Sequence, residues 1–286
     1  MNDYSSAPIR AEMAKRLSKE YDEASVALFR EGHRKHLGAS VIGEACEALN
    51  WFQFRWVHNT NPGGRMYRLF QRGHREEPFV IAHYRKLDFV VNELDPSTGK
   101  QWRLIGHHGH FGGSCDGRGY LPPRYNYSRE VGYEIKTANA NQFKKLIKAG
   151  SVSIWKPRYA RQMDVYGAAW GIEIFVFITV NKDDDDKHIE FYLVQPVEGH
   201  RLYQKAQRVI TAHTRPPRLS DHPAFDGCRY CDFHNHCHKG AMPERNCRSC
   251  KLAEPHFEGQ WYCNGYKAII PPDVLVKGCQ AWKSIL

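Results

Sequence analysis

No stretch of the chain approaches the ~18 consecutive apolar residues that would span a bilayer, so no transmembrane helix is expected. The opening residues, Met1-Asn2-Asp3-Tyr4-Ser5-Ser6, lack the basic-then-apolar form of a secretory leader. Internal repeats and low-complexity tracts are absent as well, which excludes a tandem-repeat build. Carboxylates are the minority charge: 31 Asp and Glu stand against 41 Lys and Arg, for a net charge of +10. A basic surface favours a polyanionic partner and salt-dependent binding. No basic amphipathic helix with a large apolar face stands out, so a membrane surface is a poor fit. An even cysteine count is also missing. Nine cysteines, an odd count that includes the tight pairs Cys228/Cys231 and Cys247/Cys250, argue without a leader against a disulfide framework and for metal in a reducing compartment. The expected location is the cytoplasm.

Hydrophobic content of 42% over 286 residues supports one large domain, or one domain with a small appendix. A charged helix is expected over 8–37. A second starts at Ser40 and runs through Trp51, Phe52, Phe54 and Trp56. Asn61-Pro62-Gly63-Gly64 reads as a turn, and 65–86 as a helix interrupted at Gly73 and Pro78. Strands follow at 87–94, 101–107, 115–120 and 130–136, and helices at 139–149 and 158–170. Two further strands, Ile172 to Val180 and Ile189 to Val194, flank the run Asp183–Asp186, which reads as a solvated hairpin tip. A helix at 197–213 leads into a Cys/His-rich tail. This order predicts an α/β core with a mixed central sheet flanked by helices. Its expected parts are an N-terminal helical region (1–37), a core domain with a cysteine cluster (38–240) and a small Cys-rich metal-binding module (241–286).

The most informative feature is Asp116, followed by the triplet Glu134-Ile135-Lys136. Strand alternation sends Glu134 and Lys136 to one face and Ile135 into a core. Two carboxylates and a lysine can hold a divalent cation beside a phosphodiester. Two more elements bracket them: Gly73-His74-Arg75-Glu76-Glu77 on a helix, and Gln162-Met163-Asp164-Val165-Tyr166, where Gln162 and Tyr166 share a helix face. Each element alone has a plain reading as a surface ion pair, a turn or a packing pair. Glu76 rivals Glu77.

As an ordered set these elements resemble the PD-(D/E)xK nuclease superfamily, in its RecB-like and lambda-exonuclease (YqaJ)-like branch. The matching positions are Gly73/Glu77, Gly113/Asp116/Gly117, Glu134/Lys136 and Gln162/Tyr166, over roughly residues 38–195. The resemblance implies a restriction-endonuclease-like core and Mg²⁺ or Mn²⁺ held by Glu77, Asp116, Glu134 and the Ile135 carbonyl. It implies that Lys136 orients water or stabilises charge, and that Gln162 and Tyr166 position the strand or brace the ligands. His74 lies where it could touch DNA. His107, His108 and His110 read as groove-lining or plain surface.

Cys228-x2-Cys231-x5-Cys237, with Cys46 far upstream, resembles the iron–sulfur nucleases, among them AddB-type domains and CRISPR-associated RecB-like exonucleases. The resemblance implies a [4Fe–4S] cluster stapling the two ends of the domain. Ala48 stands where that family often has Arg. Zinc is the alternative, given His234, His236 and His238, and Cys46 could be only a buried thiol. Cys247-x2-Cys250-x12-Cys263-x15-Cys279 looks like a zinc ribbon, with His256 as another fourth ligand. Cys115 is left over. The function implied is a metal-dependent DNA exonuclease of phage type, acting in end processing, recombination or repair. A single-strand annealing or recombination protein is the implied partner. The alternatives are a structure-specific endonuclease and a non-catalytic, metal-stapled DNA-binding scaffold.

Overall fold

A computed structural model describes residues 6–30, 32–59 and 62–286. Helix α1 (Ala7–Phe29) is followed by the short strand β1 (Leu37–Gly38), then α2 (Ala39–Ile42), α3 (Glu47–Phe54) and α4 (Gly64–Lys86). Strands β2 (Val90–Asn92), β3 (Leu94–Asp95), β4 (Lys100–Gln101), β5 (Arg103–Gly106), β6 (Phe111–Ser114), β7 (Gly117–Tyr120) and β8 (Val131–Ala138) come next. Helices α5 (Ala140–Ala149), α6 (Val152–Trp155) and α7 (Pro157–Trp170) lead to β9 (Ile174–Asn181), β10 (Lys187–Leu193) and α8 (Pro196–Thr211).

The main sheet has five strands in the order β10-β9-β8-β7-β2. Its β8–β9 pair is parallel and the others are antiparallel, so the sheet is mixed, as the element order predicts. Strand β9 is buried almost throughout and β10 only in part, the pattern of a central strand beside an edge. One face packs Val131, Tyr133, Ile135, Val176 and Ile178 against Val80, Ile81 and Tyr84 of α4. Phe175, Phe177 and Tyr192 join the larger cluster, which holds Met163 and Tyr166 of α7 and Leu202 and Val209 of α8. Each such side chain contributes about 1.5–3 kcal/mol by leaving water.

Local chemistry sets several boundaries. The Asn139 side chain accepts from Gln142 N at 2.9 Å to start α5, and Gly150 ends it in the left-handed region at φ 73°. Pro157 opens α7 and Gly171, at φ 69°, closes it. Elsewhere the sequence expectations need correction. Helix α1 stops at Phe29 rather than near Gly38. The second helix is two short ones, because Cys46 is extended and caps α3 through Leu49 N at 3.4 Å. Helix α4 is continuous past Gly73 and Pro78. Asn61 of the expected turn lies outside the described residues. Asp183–Asp186 does cross from β9 to β10, and Asp183 Oδ2 accepts from Ala140 N at 2.7 Å, so the tip also braces α5.

The tail carries α9 (Asp226–Arg229), α10 (His234–His238) and α11 (Pro272–Lys277), with a three-stranded antiparallel sheet of β11 (Ala253–Pro255), β12 (Trp261–Cys263) and β13 (Ala268–Ile269). Trp261, Ala253 and Ile270 belong to the same buried cluster as Phe54 and Trp51. Arg55 donates to Cys250 O at 2.8 Å and Ala253 O at 3.0 Å, and Arg248 donates to Lys35 O at 3.0 Å. Both guanidinium groups are buried and stack on Trp261. They clamp the tail to α3 and to the loop after α1.

Candidate active site

The chain changes sheets at Cys115 and Asp116. Strand β6 pairs with β1 and β5 in a three-stranded sheet, whereas β7 belongs to the main sheet. Asp116 is therefore at a switch and not inside the expected strand 115–120. Gly117 is opposite Tyr133, so β7 provides no partner for β8 beyond that point. The Ile135 N–H instead donates to Asp116 Oδ2 at 2.7 Å. That bond locks the Asp116 carboxylate beside Glu134 and Lys136.

Three oxygens meet at the Lys136 ammonium. Nζ stands 2.5 Å from Glu134 Oε1, 3.1 Å from the Ile135 carbonyl oxygen and 3.7 Å from Asp116 Oδ2. Alternation along β8 works as the sequence predicts: Ile135 packs with the α4 side, while Glu134 and Lys136 share the other face. Glu134 is wholly buried, and neither carboxylate oxygen has a well-formed hydrogen bond. A buried carboxylate without directional partners is costly, and it fits a site that takes a cation. Burial pushes the Glu134 pKa up to about 8, against the pull of Lys136 and with the help of Asp116. For Lys136, burial acts to lower the pKa, but the Glu134 and Asp116 charges reverse this and hold it above its ordinary value. Burial and carboxylate crowding thus oppose full ionisation of the site as it stands.

From α4, Glu77 reaches the same group: burial and then the charge of Asp116 raise its pKa, while His74 and Lys136 oppose the rise. His74 Nδ1 is 3.4 Å from Glu77 Oε1. Glu76 lines a separate cavity with Phe79, His83 and Ile178, so the geometry favours Glu77 of the two.

Gln162 and Tyr166 do not reach over this centre. Tyr166 is buried and its hydroxyl donates to Ser114 O at 2.8 Å, while Gln162 Nε2 donates to Tyr166 Oη at 3.4 Å. The pair braces the chain two residues before Asp116. The approach requires glycine at 113, where an added Cβ would lie 2.4 Å from Tyr166 Oη. Asp164 between them is structural, accepting from Tyr192 Oη at 2.8 Å and Gln195 N at 2.7 Å. Cys115 is fully buried, and its thiol donates to Gly117 O at 3.1 Å. Burial, then Glu134 and Asp116, raise its pKa far above that of a free thiol, so it is no nucleophile.

The cysteines gather in two groups. Cys46, Cys228, Cys231 and Cys237 line one small cavity with Arg218 and His234. Burial raises the Cys231 pKa, and Cys46 and Cys237 add to it. In the tail, burial followed by Cys279, Cys250 and Cys263 pushes the Cys247 thiol up to about 11. Among the described residues, however, no three His, Cys, Asp or Glu side chains are arranged to hold a metal ion. The acidic group is drawn onto Lys136, and some thiols point at backbone groups, as Cys247 Sγ does to Val274 O at 3.4 Å. Proximity is present; closure around a common point is not.

The histidines divide. His110 is buried, with Nε2 2.7 Å from His256 O, and its ring meets Phe54 and Trp261 edge-on. It is a tie to the tail and not the surface or groove residue expected. His107 Nε2 lies 2.8 Å from Tyr203 O. Tyr159, absent from the sequence reading, lies 5.6 Å from Lys136 Nζ and adds a cation–π contact. Only its place on α7, three residues before Gln162, could have signalled it.

Two crystal structures of an alkaline exonuclease (LHK-Exo) from Laribacter hongkongensis resemble the fold. One matches at 20% identity and TM-score 0.41, covering 65% of this chain and 90% of that one. The other, in complex with dAMP, matches at 19% identity and TM-score 0.41, covering 66% and 89%. The crystal structure of SSO0001 matches at 13% identity and TM-score 0.44, covering 82% and 100%. No protein-family profile and no curated protein sequence matches the chain. At these values the reading of the site rests on its own side chains.

Proposed function

We propose that the chain is a metal-dependent DNA exonuclease whose centre is Asp116, Glu134 and Lys136, with Glu77 and the Ile135 carbonyl. The observation that carries this reading is Glu134: a fully buried carboxylate with no well-formed hydrogen bond, next to two more carboxylates and one lysine. Hard oxygen donors of this kind suit Mg²⁺ or Mn²⁺. When bound, such an ion would polarise the phosphate and lower the pKa of a coordinated water. The chain's own residues do the rest. Asp116, Glu134, Glu77 and the Ile135 carbonyl would hold the ion. Lys136, no longer needed as sole counter-charge, is free to face the scissile phosphate and offset charge that develops there. The Ile135 N–H keeps Asp116 oriented, and Tyr166 with Gln162 holds the Ser114–Asp116 segment in register.

In this reading Cys46, Cys228, Cys231 and Cys237 take an iron–sulfur cluster, or zinc, and Cys247, Cys250, Cys263 and Cys279 take zinc. Each centre would tie the tail to the domain. The net charge of +10 fits a polyanionic substrate, and in this reading the substrate is DNA. A role in end processing, with a single-strand annealing or recombination partner, follows from that activity. Among the described residues no helix is long and apolar enough to cross a membrane. A non-catalytic scaffold would have no use for a buried Glu134 crowded by Asp116 and Glu77 around one lysine.

The test is a time course on end-labelled linear, nicked and circular DNA with Mg²⁺, Mn²⁺ or EDTA. Loss of end label from linear DNA, with circles spared, supports an exonuclease. Cutting of circles shifts the reading to an endonuclease. No metal-dependent degradation of any form sinks it.

A further inference from the structure

Helix α1 rests on α4 by its last third alone. Asp22 meets Gly64, the first residue of α4, and Arg68 stands 2.9 Å from Ser25 Oγ and 2.7 Å from Asp22 Oδ1. Phe29 lines one cavity with Phe70 and Gln71, further along α4. The two helices therefore advance together, and the part of α1 before Asp22 extends past the start of α4. Every residue from Ala7 to Tyr21 is exposed. Local signals do not hold this stretch helical: Ser6 makes no side-chain cap, no acidic residue is in the first turn and no basic residue is in the last. A helix of this length without tertiary packing is marginal in water.

An apolar stripe runs along the extension. Ile9, Met13, Leu17 and Tyr21 recur every fourth residue, and Leu28 follows two turns later. Leu17 is 63% exposed and Leu28 75%. Tyr21 has Arg68 5.3 Å from its ring centroid and is still 62% exposed. The charges of α1 say what kind of surface would cover this stripe. The chain as a whole carries +10, yet α1 has four Lys and Arg against four Asp and Glu. A balanced helix on a basic protein is poorly suited to a polyanion or an anionic membrane and well suited to another balanced helix. Two ion pairs lie along it, Arg16 with Glu20 at 2.8 Å and Lys19 with Glu23 at 3.7 Å. Both are exposed and so bind weakly enough to exchange partners.

We infer that α1 pairs antiparallel with α1 of a second copy of this chain, about a dyad near Ser18 and Lys19, and that this pair makes the protein a dimer. The inference does not rest on the nuclease reading. Such a pair is self-complementary, as a twofold interface must be. Ile9 comes beside Leu28 of the second copy, and Leu17 beside its Tyr21. The two Arg16–Glu20 pairs meet across the dyad, so each Arg16 faces a second Glu20. A parallel pair would set Arg16 level with Arg16 and Glu20 level with Glu20, which opposes association. The stripe then leaves water, and packing holds the helix where its own caps do not.

The experiment is sedimentation equilibrium of the full chain over a micromolar concentration series, without DNA or lipid. We expect a mass twice that of the chain. Leu17→Glu should weaken self-association by roughly 100-fold or more, since each dimer loses two buried leucines. Arg16→Glu and Glu20→Arg should each weaken it, because four like charges then meet at the dyad. The double variant Arg16→Glu with Glu20→Arg should restore it, which a folding defect would not allow. A photo-crosslinking residue at Met13 should mark the second copy near Ala24. A monomer at every concentration, a dimer that Leu17→Glu leaves intact, or no rescue by the double variant would each overturn the inference. So would a crosslink to Met13 itself or to another element. Single-stranded DNA and anionic vesicles are added in separate runs. Self-association that appears with one of them and not without assigns the stripe to that ligand and overturns the inference as well.

Discussion

Lys136 Nζ and Glu134 Oε1 stand 2.5 Å apart on one face of β8, and Glu134 has no solvent exposure at all. Two residues apart on a strand, they are brought together by alternation alone; the fold closes water off from Glu134 and leaves Lys136 partly exposed. Asp116 joins from a neighbouring strand end, with Oδ2 3.7 Å from the same ammonium. The centre therefore crowds carboxylates around one ammonium, and a bound cation would favour their ionised forms.

Substitution at this centre should remove activity and leave the fold. Asp116→Ala and Lys136→Ala are each expected to lower metal-dependent DNA degradation by at least about 100-fold, the scale of losing a charge-stabilising group. Circular dichroism should be unchanged for Asp116→Ala, which frees only the Ile135 N–H. Undiminished cleavage by both variants would falsify the assignment.

Tyr166 is expected to act by positioning. Tyr166→Phe removes the bond to Ser114 O and leaves a buried carbonyl short of a donor, which costs about 1–3 kcal/mol. Urea denaturation measures that loss. Gly113→Ala should be worse, because its Cβ would be driven into Tyr166 Oη at 2.4 Å. Both variants should reduce kcat more than they raise KM, since the displaced Asp116 segment belongs to the candidate centre itself.

Acid should loosen the tail through His110. Burial lowers the His110 pKa from 6.5 to about 4, only partly offset by the His256 carbonyl. The unfolded chain takes up a proton below about pH 6.5 that the folded chain refuses until about pH 4. Stability from this group is therefore complete above pH 6.5 and is lost as pH falls toward 4, by up to roughly 3 kcal/mol. The slope of unfolding free energy between those values is the readout. His110→Gln keeps a donor for the carbonyl without titrating and should flatten the slope; an unchanged slope rejects His110 as its source.

Metal content separates the two cysteine groups. Anaerobically purified protein is expected to be brown and to contain iron together with zinc by elemental analysis. Cys231→Ser should bleach the iron and spare the zinc, and Cys250→Ser should do the reverse. Colourless protein with zinc alone assigns zinc to both groups, and protein with neither metal rejects both.

Much of the core was legible in the chain. The elements from β8 through β10 follow from a continuous apolar run in β9 and alternation in β10, from Asn139 and Gly150 around α5, and from Pro157 and Gly171 around α7. These signals are local, so sequence shows them directly. Cys115 and Asp116 were read as part of one strand, because nothing local marks the point at which a chain leaves one sheet for another. Helix α1 was drawn too long, since charged residues continue past Phe29 while the backbone is already extended at Arg30.

By itself the sequence determined which residues face together within an element: Glu134 with Lys136 through period two, and Gln162 with Tyr166 through one helical turn. Tertiary structure decided what each pair does. It buried Glu134 against the Lys136 ammonium, turned Tyr166 onto Ser114 rather than over the centre, set Glu77 within reach of the Asp116 charge, and sank His110 against Trp261. The physical reason is the range of the forces. Backbone periodicity acts over a few residues and is written in their order. Burial and charge depend on neighbours brought from far along the chain, and only the assembled fold supplies them.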